Sequence, residues 1–378
     1  MPAKPLIVIY TGAVEVTGAM IAAYRQAIAL KDDARFAIVV SDRASIRAED
    51  FPEVSLLRLP LARVARTARS LLGYPLGTLR SARRLARLLS ELGCTRLQVN
   101  DFYLLEGALT RLFGFRGTIV TWVRIDPSRY GGLLASVWLR TAAAASSSVV
   151  TVSRFMQQRL HEWSTKAELV YDPCPDLPLA TPPAGKRLVF IGNYSAGKGQ
   201  DVAIRAFAAV ASRAADARLE LYGSDLALER NRQYRRSLVE LVNELGLVGQ
   251  VVVGDFMPEP GDVLDGTLVA LNLSESESFS LTCQEASARG VAVIATRCGG
   301  PEEIVHHGES GWLVPVGDST AITEAMRAAL ADPHRTHRMG QAGAKLVRKR
   351  FSPTIFRKQI TRLFNLAPVA VGNDGAST

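Results

Sequence analysis

Long apolar runs are missing from this 378-residue sequence. None approaches the ~20 residues that a helix needs to cross a bilayer, which argues against an integral membrane protein. The opening KPLIVIYTG lacks the basic region, apolar segment and cleavage site of a secretory leader. It reads as a strand and turn, and a cytoplasmic protein is expected. Cysteine is scarce as well. Cys94, Cys174, Cys283 and Cys298 form no C-x-x-C pair, so they read as reduced packing residues and supply no metal site. His306 and His307 do not fill the gap, because adjacent side chains diverge and no carboxylate pattern completes a site. No Asp-x-Asp motif lies in a suitable loop, and no metal is expected.

Acid is scarce in one half only. Residues 1–180 carry 23 Lys and Arg against 15 Asp and Glu, and the remainder carries 22 against 21. The stretch LARVARTARSLLGYPLGTLRSARRLARLLS, residues 61–90, has seven arginines and no acid, with Leu and Val interleaved at helical spacing. Such a segment suits peripheral contact with an anionic membrane. It equally suits a surface helix that packs one leucine face. No recognised motif or aromatic platform accompanies the charge, so nucleic acid is not an expected partner.

What is present is alternation. LIVIY, FAIVV, RLQVN, TIVTWV and SVVTVS are short β-branched runs, and helical segments such as AMIAAYRQAIAL and SARRLARLLSEL separate several of them. After YDPCPDLPLATPPAGK, with five prolines in residues 171–186, the pattern restarts with RLVFIG, DVAIRAFAAVASRAA, LELYG, VVVGDF, LVALNLS and VAVIAT. The expected fold is α/β, with two doubly wound Rossmann-like domains. They would span residues 1–170 and 187–350 around a Pro-rich hinge at 171–186. Residues 351–378 read as a late helix, expected to pack back on the first domain, and a frayed tail. In such sheets ligands sit at the carboxyl ends of the strands, so a cleft between the domains is the expected site.

Two segments carry chemistry. IGNYSAGKGQD places Gly192, Asn193, Gly197, Lys198 and Gly199 directly after the run RLVF. The spacing is nearly that of an ATP-binding P-loop, but Gly199 stands where that motif needs Ser or Thr for magnesium. A strand, a glycine turn and a lysine at a helix start still favour anionic oxygen, so a phosphate-bearing ligand is expected. In SESESFSLTCQEASARG, Glu277 lies in a loop and Glu285, eight positions on, falls on a helix expected to begin near Ser280. The amides of Phe279, Ser280 and Leu281 would stand at that helix start for further phosphate oxygens. Against this, Lys198 reads as an exposed turn residue, Glu277 as a solvated charge and Glu285 as a helix-surface partner of Arg289. Trp122 and Trp312 read as packing residues.

Together, ESFSLTCQEASARGVAVIATRCGGPEEIVHHGESGWLVP and IGNYSAGKGQD resemble the signature of the retaining GT-B glycosyltransferases of family four. The resemblance spans the second domain strongly. It reaches the first only through YTGAVEVTGAM, TIVTWVRIDP and VSRFMQQRL. It implies a hexosyl donor that is a GDP- or UDP-sugar, no cofactor, and a glycan or lipid-diphosphate-linked acceptor bound by the first domain. The reaction it implies is metal-independent, in bacterial lipopolysaccharide, capsule or exopolysaccharide assembly on the inner membrane face. Lys198 would grip the donor diphosphate, Glu277 the sugar hydroxyls and Glu285 the ribose, while Glu303 supports the GG-x-x-E turn. Three features depart from the family. Asn193 stands where Arg or Lys is usual, and Arg124 and Asp126 follow the TIVTWV strand where a His is common. The first glycine loop has Gly12 and Gly18 in place of a pair. Those departures leave open a non-catalytic sugar-nucleotide-binding scaffold. A phosphorylase-like enzyme lacks its pyridoxal lysine signature here.

Overall fold

The computed structural model describes residues 4–61, 68–163, 165–257 and 263–366, with the side chains of 68–73 left aside. Two compact units divide the chain. The first takes the described residues up to 152, then 156–173, then those from 353 onward; the second takes 153–155 and 174–352.

The first unit is built on a seven-stranded parallel sheet. Its strands are β1 (Leu6–Tyr10), β2 (Arg35–Ser41), β3 (Ser55–Leu59), β4 (Arg96–Val99), β5 (Thr118–Val123), β6 (Ser148–Thr151) and β7 (Glu168–Leu169), in the order β3-β2-β1-β4-β5-β6-β7. Runs such as Ile7–Ile9 are buried completely, because helices cover both faces of a parallel sheet and leave no wet side for alternation. The helices are α1 (Gly18–Ala29), α2 (Ala68–Glu91), α3 (Leu105–Leu109), α4 (Gly132–Ala145) and α5 (Arg154–Glu162). Thr17 caps α1 by accepting the Met20 N–H, one of the donors a helix start leaves unpaired.

Helix α2 covers most of residues 61–90. Leu85 and Leu89 are buried in a core with Val8 and Leu97, while Arg80, Arg83, Arg84 and Arg87 are exposed. Leu85 and Leu89 thus pack inward, whereas Leu76 on the same helix is 53% exposed. Residues 62–67, with Arg63 and Arg66, lie outside the described residues.

The second unit has a six-stranded parallel sheet of β8 (Arg187–Ile191), β9 (Arg218–Tyr222), β10 (Val251–Val253), β11 (Val269–Asn272), β12 (Ala292–Thr296) and β13 (Gly311–Val314), in the order β10-β9-β8-β11-β12-β13. Its helices are α6 (Gln200–Ala211), α7 (Glu229–Glu244), α8 (Leu281–Ala288), α9 (Ser319–Ala331) and α10 (Pro333–Arg350). Asp332 caps α10 on the Arg335 N–H and Pro333 occupies its first turn, where a missing N–H costs nothing. The Pro-rich segment is not loose over its length. Asp172 is buried in the first unit. Further on, Pro178 and Leu177 carbonyls accept from Arg289 and Arg348, and the Thr181 N–H donates to Asp265, all in the second unit. Helix α11 (Pro353–Leu363) belongs to the first unit, where Arg357 pairs with Asp33 and Arg362 with Glu168. Residues 367–378 lie outside the described residues.

Candidate donor site in the second unit

Strand order reverses in this sheet between its two central strands. The chain runs from β8 outward to β9 and β10, then returns to β11 on the other side of β8. The loops leaving β8 and β11 therefore diverge to opposite faces and open a crevice at their carboxyl ends. Residues 192–199 and 273–280 are those two loops.

They are pressed together. The Glu275 N–H donates to the Gly197 carbonyl at 2.9 Å, and a Cβ on Gly199 would stand 2.3 Å from the Leu273 carbonyl oxygen. Gly199 also has φ of 86°, in the left-handed region that side chains disfavour. Only glycine lets α6 start so close to β11. Lys198 is thereby aimed across the crevice, with its Nζ 2.6 Å from Glu277 Oε1. Ser274 Oγ donates to the same oxygen at 2.8 Å, and the Ser274 carbonyl is in turn held by Thr296 Oγ1. Backbone bonds fix the carboxylate's base: the Glu277 N–H donates to the Cys298 carbonyl, and the Gly300 N–H donates to the Glu277 carbonyl at 2.8 Å.

Ser280 sits at the N-cap of α8 with φ of 82°, a strained conformation for a residue with a side chain. Asn272, at the end of β11, holds it there by donating to Ser280 Oγ at 2.8 Å and to Thr282 Oγ1 at 3.2 Å. Ser280 Oγ also accepts the Cys283 N–H. The Leu281 and Thr282 N–H groups precede the first intrahelical bonds of α8, as in any helix start. Phe279 is buried edge-on against Phe351, centroids 5.3 Å apart. Glu285 lies on α8 with 3% of its surface exposed. Glu303 accepts the Phe155 N–H at 3.0 Å, and Arg350 donates to the Glu303 carbonyl at 2.8 Å.

Gln200 escaped the sequence reading. It is fully buried, and its Nε2 donates to the carbonyls of both Gly192 and Asn193. In a trans peptide the N–H points opposite to the carbonyl, so these bonds turn the Asn193 and Tyr194 amides the other way. Tyr194 N–H finds the Ser224 carbonyl at 2.9 Å. A buried Gln at a helix start gives no signal in the sequence, since its partners are made by the turn itself. Arg235 stacks on the Tyr194 ring, next to Asn193, while paired with Asp255.

In the first unit, Gly12 lies on the loop after β1 beside Leu104, and Gly18 opens α1. Arg124 and Asp126 go to different partners. Arg124 is buried in a two-pronged pair with Asp172, at 2.7 and 2.9 Å, and its Nε donates to Asn100. Asp126 accepts the Ser128 N–H and pairs with Arg159 at 3.0 Å. Burial acts to raise the Asp126 carboxyl, but those two bonds outweigh it and hold it below its usual range. Among the described residues no group of three or more His, Cys, Asp or Glu is placed to hold a metal, and no helix is long and apolar enough to cross a membrane.

Residues 178–346 match the family model described as glycosyl transferases group 1, the family that the two sequence segments resemble. The second unit is thus a group 1 glycosyl transferase domain, and the two-sheet architecture is the GT-B fold. The structure of Anabaena HepE in complex with UDP-glucose superposes with a TM-score of 0.80 at 18% identity, over 95% of this chain and 99% of that one. N-acetyl-alpha-D-glucosaminyl L-malate synthase of Bacillus anthracis is 31% identical over 166 residues, 44% of this chain and 42% of the relative. Phosphatidyl-myo-inositol mannosyltransferase of Mycobacterium leprae is 32% identical over 184 residues, 48% of this chain and 47% of the relative. The aligned part of the chain therefore spans less than half the length of these curated relatives.

Proposed function

We propose that this protein is a retaining glycosyltransferase that moves a hexosyl group from a GDP- or UDP-sugar to a hydroxyl of a glycan or lipid-linked acceptor. The observation that carries the proposal is the Lys198–Glu277 pair at the mouth of the β8–β11 crevice, flanked by the glycine turn and by the start of α8. A cation and the amides of a helix start at that point suit a diphosphate, and a fixed carboxylate beside them suits sugar hydroxyls. HepE carries UDP-glucose in the same fold, and the mycobacterial relative is named for transfer to a phosphatidylinositol.

In the proposed reaction the bond from the anomeric carbon to the diphosphate oxygen breaks, and the acceptor oxygen forms its bond on the same face. The barrier lies in the departing anion, so the help comes from Lys198 and from the amides of residues 193 and 279–281. The acceptor proton passes to the leaving phosphate oxygen, so no separate protein base is needed. Glu285 is assigned to the donor's ribose and Glu277 to the sugar, with Lys198 released to the phosphates as the donor enters. The acceptor falls to the first unit, through the Gly12 loop and the residues around Arg124 and Asp126. Surface polysaccharide assembly is the expected setting.

Calorimetry against UDP, GDP, ADP and their hexose conjugates, without and with added Mg2+ or Mn2+, tests the donor. Saturable metal-free binding of one nucleotide, weakened at least tenfold in Lys198→Ala, is expected. Absence of binding to every nucleotide would sink the proposal. Binding of a nucleotide sugar with no nucleoside diphosphate released to any acceptor would instead identify the non-catalytic scaffold, the reading that Asn193 favours.

A further inference from the structure

Helix α4 is apolar on both sides, which a surface helix of a self-contained unit has no reason to be. Ala135, Leu139 and Ala142 form its buried stripe. On the opposite side Leu133, Leu134 and Val137 are exposed by 83%, 48% and 51%. Arg140 continues that outward stripe one turn on, and Arg129 precedes it, both exposed and neither in an ion pair among the described residues. Trp138 lies between the two stripes, half-buried with its ring 5.4 Å from that of Tyr130. Aromatic rings with one dry and one wet side gather at the level of lipid headgroups.

The stretch of sequence around this helix is poor in acid. From residue 54 to residue 161 the sequence holds only four carboxylates, Glu91, Asp101, Glu106 and Asp126. The last three are buried, and Glu91 is already paired with Arg87. Helix α3 packs against both α4 and α2, and α2 carries the exposed Arg80 and Arg83. Three outward aliphatic side chains flanked by Arg129 and Arg140, with Glu168, itself paired with Arg362, lining the same depression as Arg140, suit an anionic bilayer surface. A nucleic acid would leave the leucines unused.

We propose that the outward stripe of α4 docks the first unit on an anionic lipid surface, with Leu133, Leu134 and Val137 entering the headgroup layer and Arg129 and Arg140 meeting lipid phosphates. The inserting element is then α4, while Leu85 and Leu89 of α2 are spent on the core. Lipid binding is read without turnover, so its failure and that of the proposed transfer are separable.

The test is co-sedimentation of the full chain with vesicles of phosphatidylcholine alone, or with about a third phosphatidylglycerol, at ~0.1 M salt. The expected result is binding to the anionic vesicles and not to the neutral ones, weakened when salt rises to ~0.5 M. A triple Leu133→Ser, Leu134→Ser, Val137→Ser variant is expected to lose about tenfold or more in vesicle affinity while keeping its melting temperature. If the triple variant does not fold, Leu133→Ser alone gives the same reading at the most exposed position. Wild-type protein that ignores anionic vesicles, or variants that bind them as well as wild type, would overturn the proposal. So would a lipid-free dimer that the triple variant dissociates, since a second copy would then cover the stripe.

Discussion

Lys198 Nζ and Glu277 Oε1 meet at 2.6 Å across 79 residues of sequence. The pair is partly exposed, Lys198 by 34% and Glu277 by 16%, so its own contribution to stability is small, and its value lies in where it fixes two charges. Lys198→Ala and Glu277→Ala are each expected to cut turnover by about 100-fold or more, with melting temperatures within a few degrees of wild type. Initial rates of nucleoside diphosphate release on the purified variants give the answer. Full activity in either would remove that residue from the site.

Ser280 reverses the usual ranking of substitutions. Ser280→Ala keeps the left-handed strain and loses the cap and a partner of Asn272, for an expected loss of about 1–3 kcal/mol. Ser280→Gly loses the same hydroxyl but releases about 1–2 kcal/mol of strain. Urea unfolding of the two proteins is expected to place the glycine variant above the alanine one. The opposite order would mean that the φ angle carries no strain.

Arg124 and Asp172 form a buried pair, and removing one partner strands the other's charge away from water. Arg124→Ala is expected to destabilise the first unit by about 3–5 kcal/mol. Arg124→Lys is expected to recover only part of this, because an ammonium cannot reproduce the fork that meets both Asp172 oxygens. Thermal unfolding monitored by Trp122 in the neighbouring strand would follow it, and unchanged melting in both variants would contradict the pairing.

Asp101 and Glu106 are buried near the start of α3, and burial pushes both carboxyls up to about 7. In the unfolded chain they titrate near 4. Between those values the folded protein keeps protons that the unfolded chain has lost, so stability falls as pH rises from about 4 to 7 and levels off above. Glu106→Gln, which still accepts the Tyr10 hydroxyl, is expected to flatten part of that slope and to stabilise the protein by roughly 2–4 kcal/mol at pH 8. Denaturant midpoints at pH 5 to 8 for both proteins decide it. Parallel curves would mean that Glu106 titrates normally.

Much of the architecture was legible because a buried parallel strand is an unbroken apolar run. LIVIY, RLVFI and AVIAT announce β1, β8 and β12. β3 and β7 did not announce themselves: SLLRL is interrupted by Arg58, whose guanidinium bonds the Ala44 and Ile46 carbonyls, and β7 is two residues long. β13 hid within the longer motif that contains it. Glycine spacing disclosed the turn at Lys198, since close approach of two backbones has few solutions. Gln200, Asn272 and Asp172 stayed invisible for a different reason. Each is a polar residue whose meaning comes from a partner on another element, and Asp172 lay in a proline-rich stretch that read as a spacer. Short-range pattern reveals where the chain turns, while the groups that hold the turn are chosen by tertiary contact.

The return of α11 to the first unit bears on how the protein is made. Phe356, Ile360, Leu363 and Phe364 are buried, and Arg96 donates to the carbonyls of Phe364 and Asn365 at the sheet's lower end. A ribosome delivers the first 173 residues early, yet the surface that receives this helix stays open until residues 353–366 emerge. The second unit, drawn almost wholly from one continuous stretch, can close in the meantime. The half that is begun first is therefore finished last, and a chain stopped short of residue 353 would release a first unit with an uncovered apolar socket, the kind of surface that chaperones hold and proteases find.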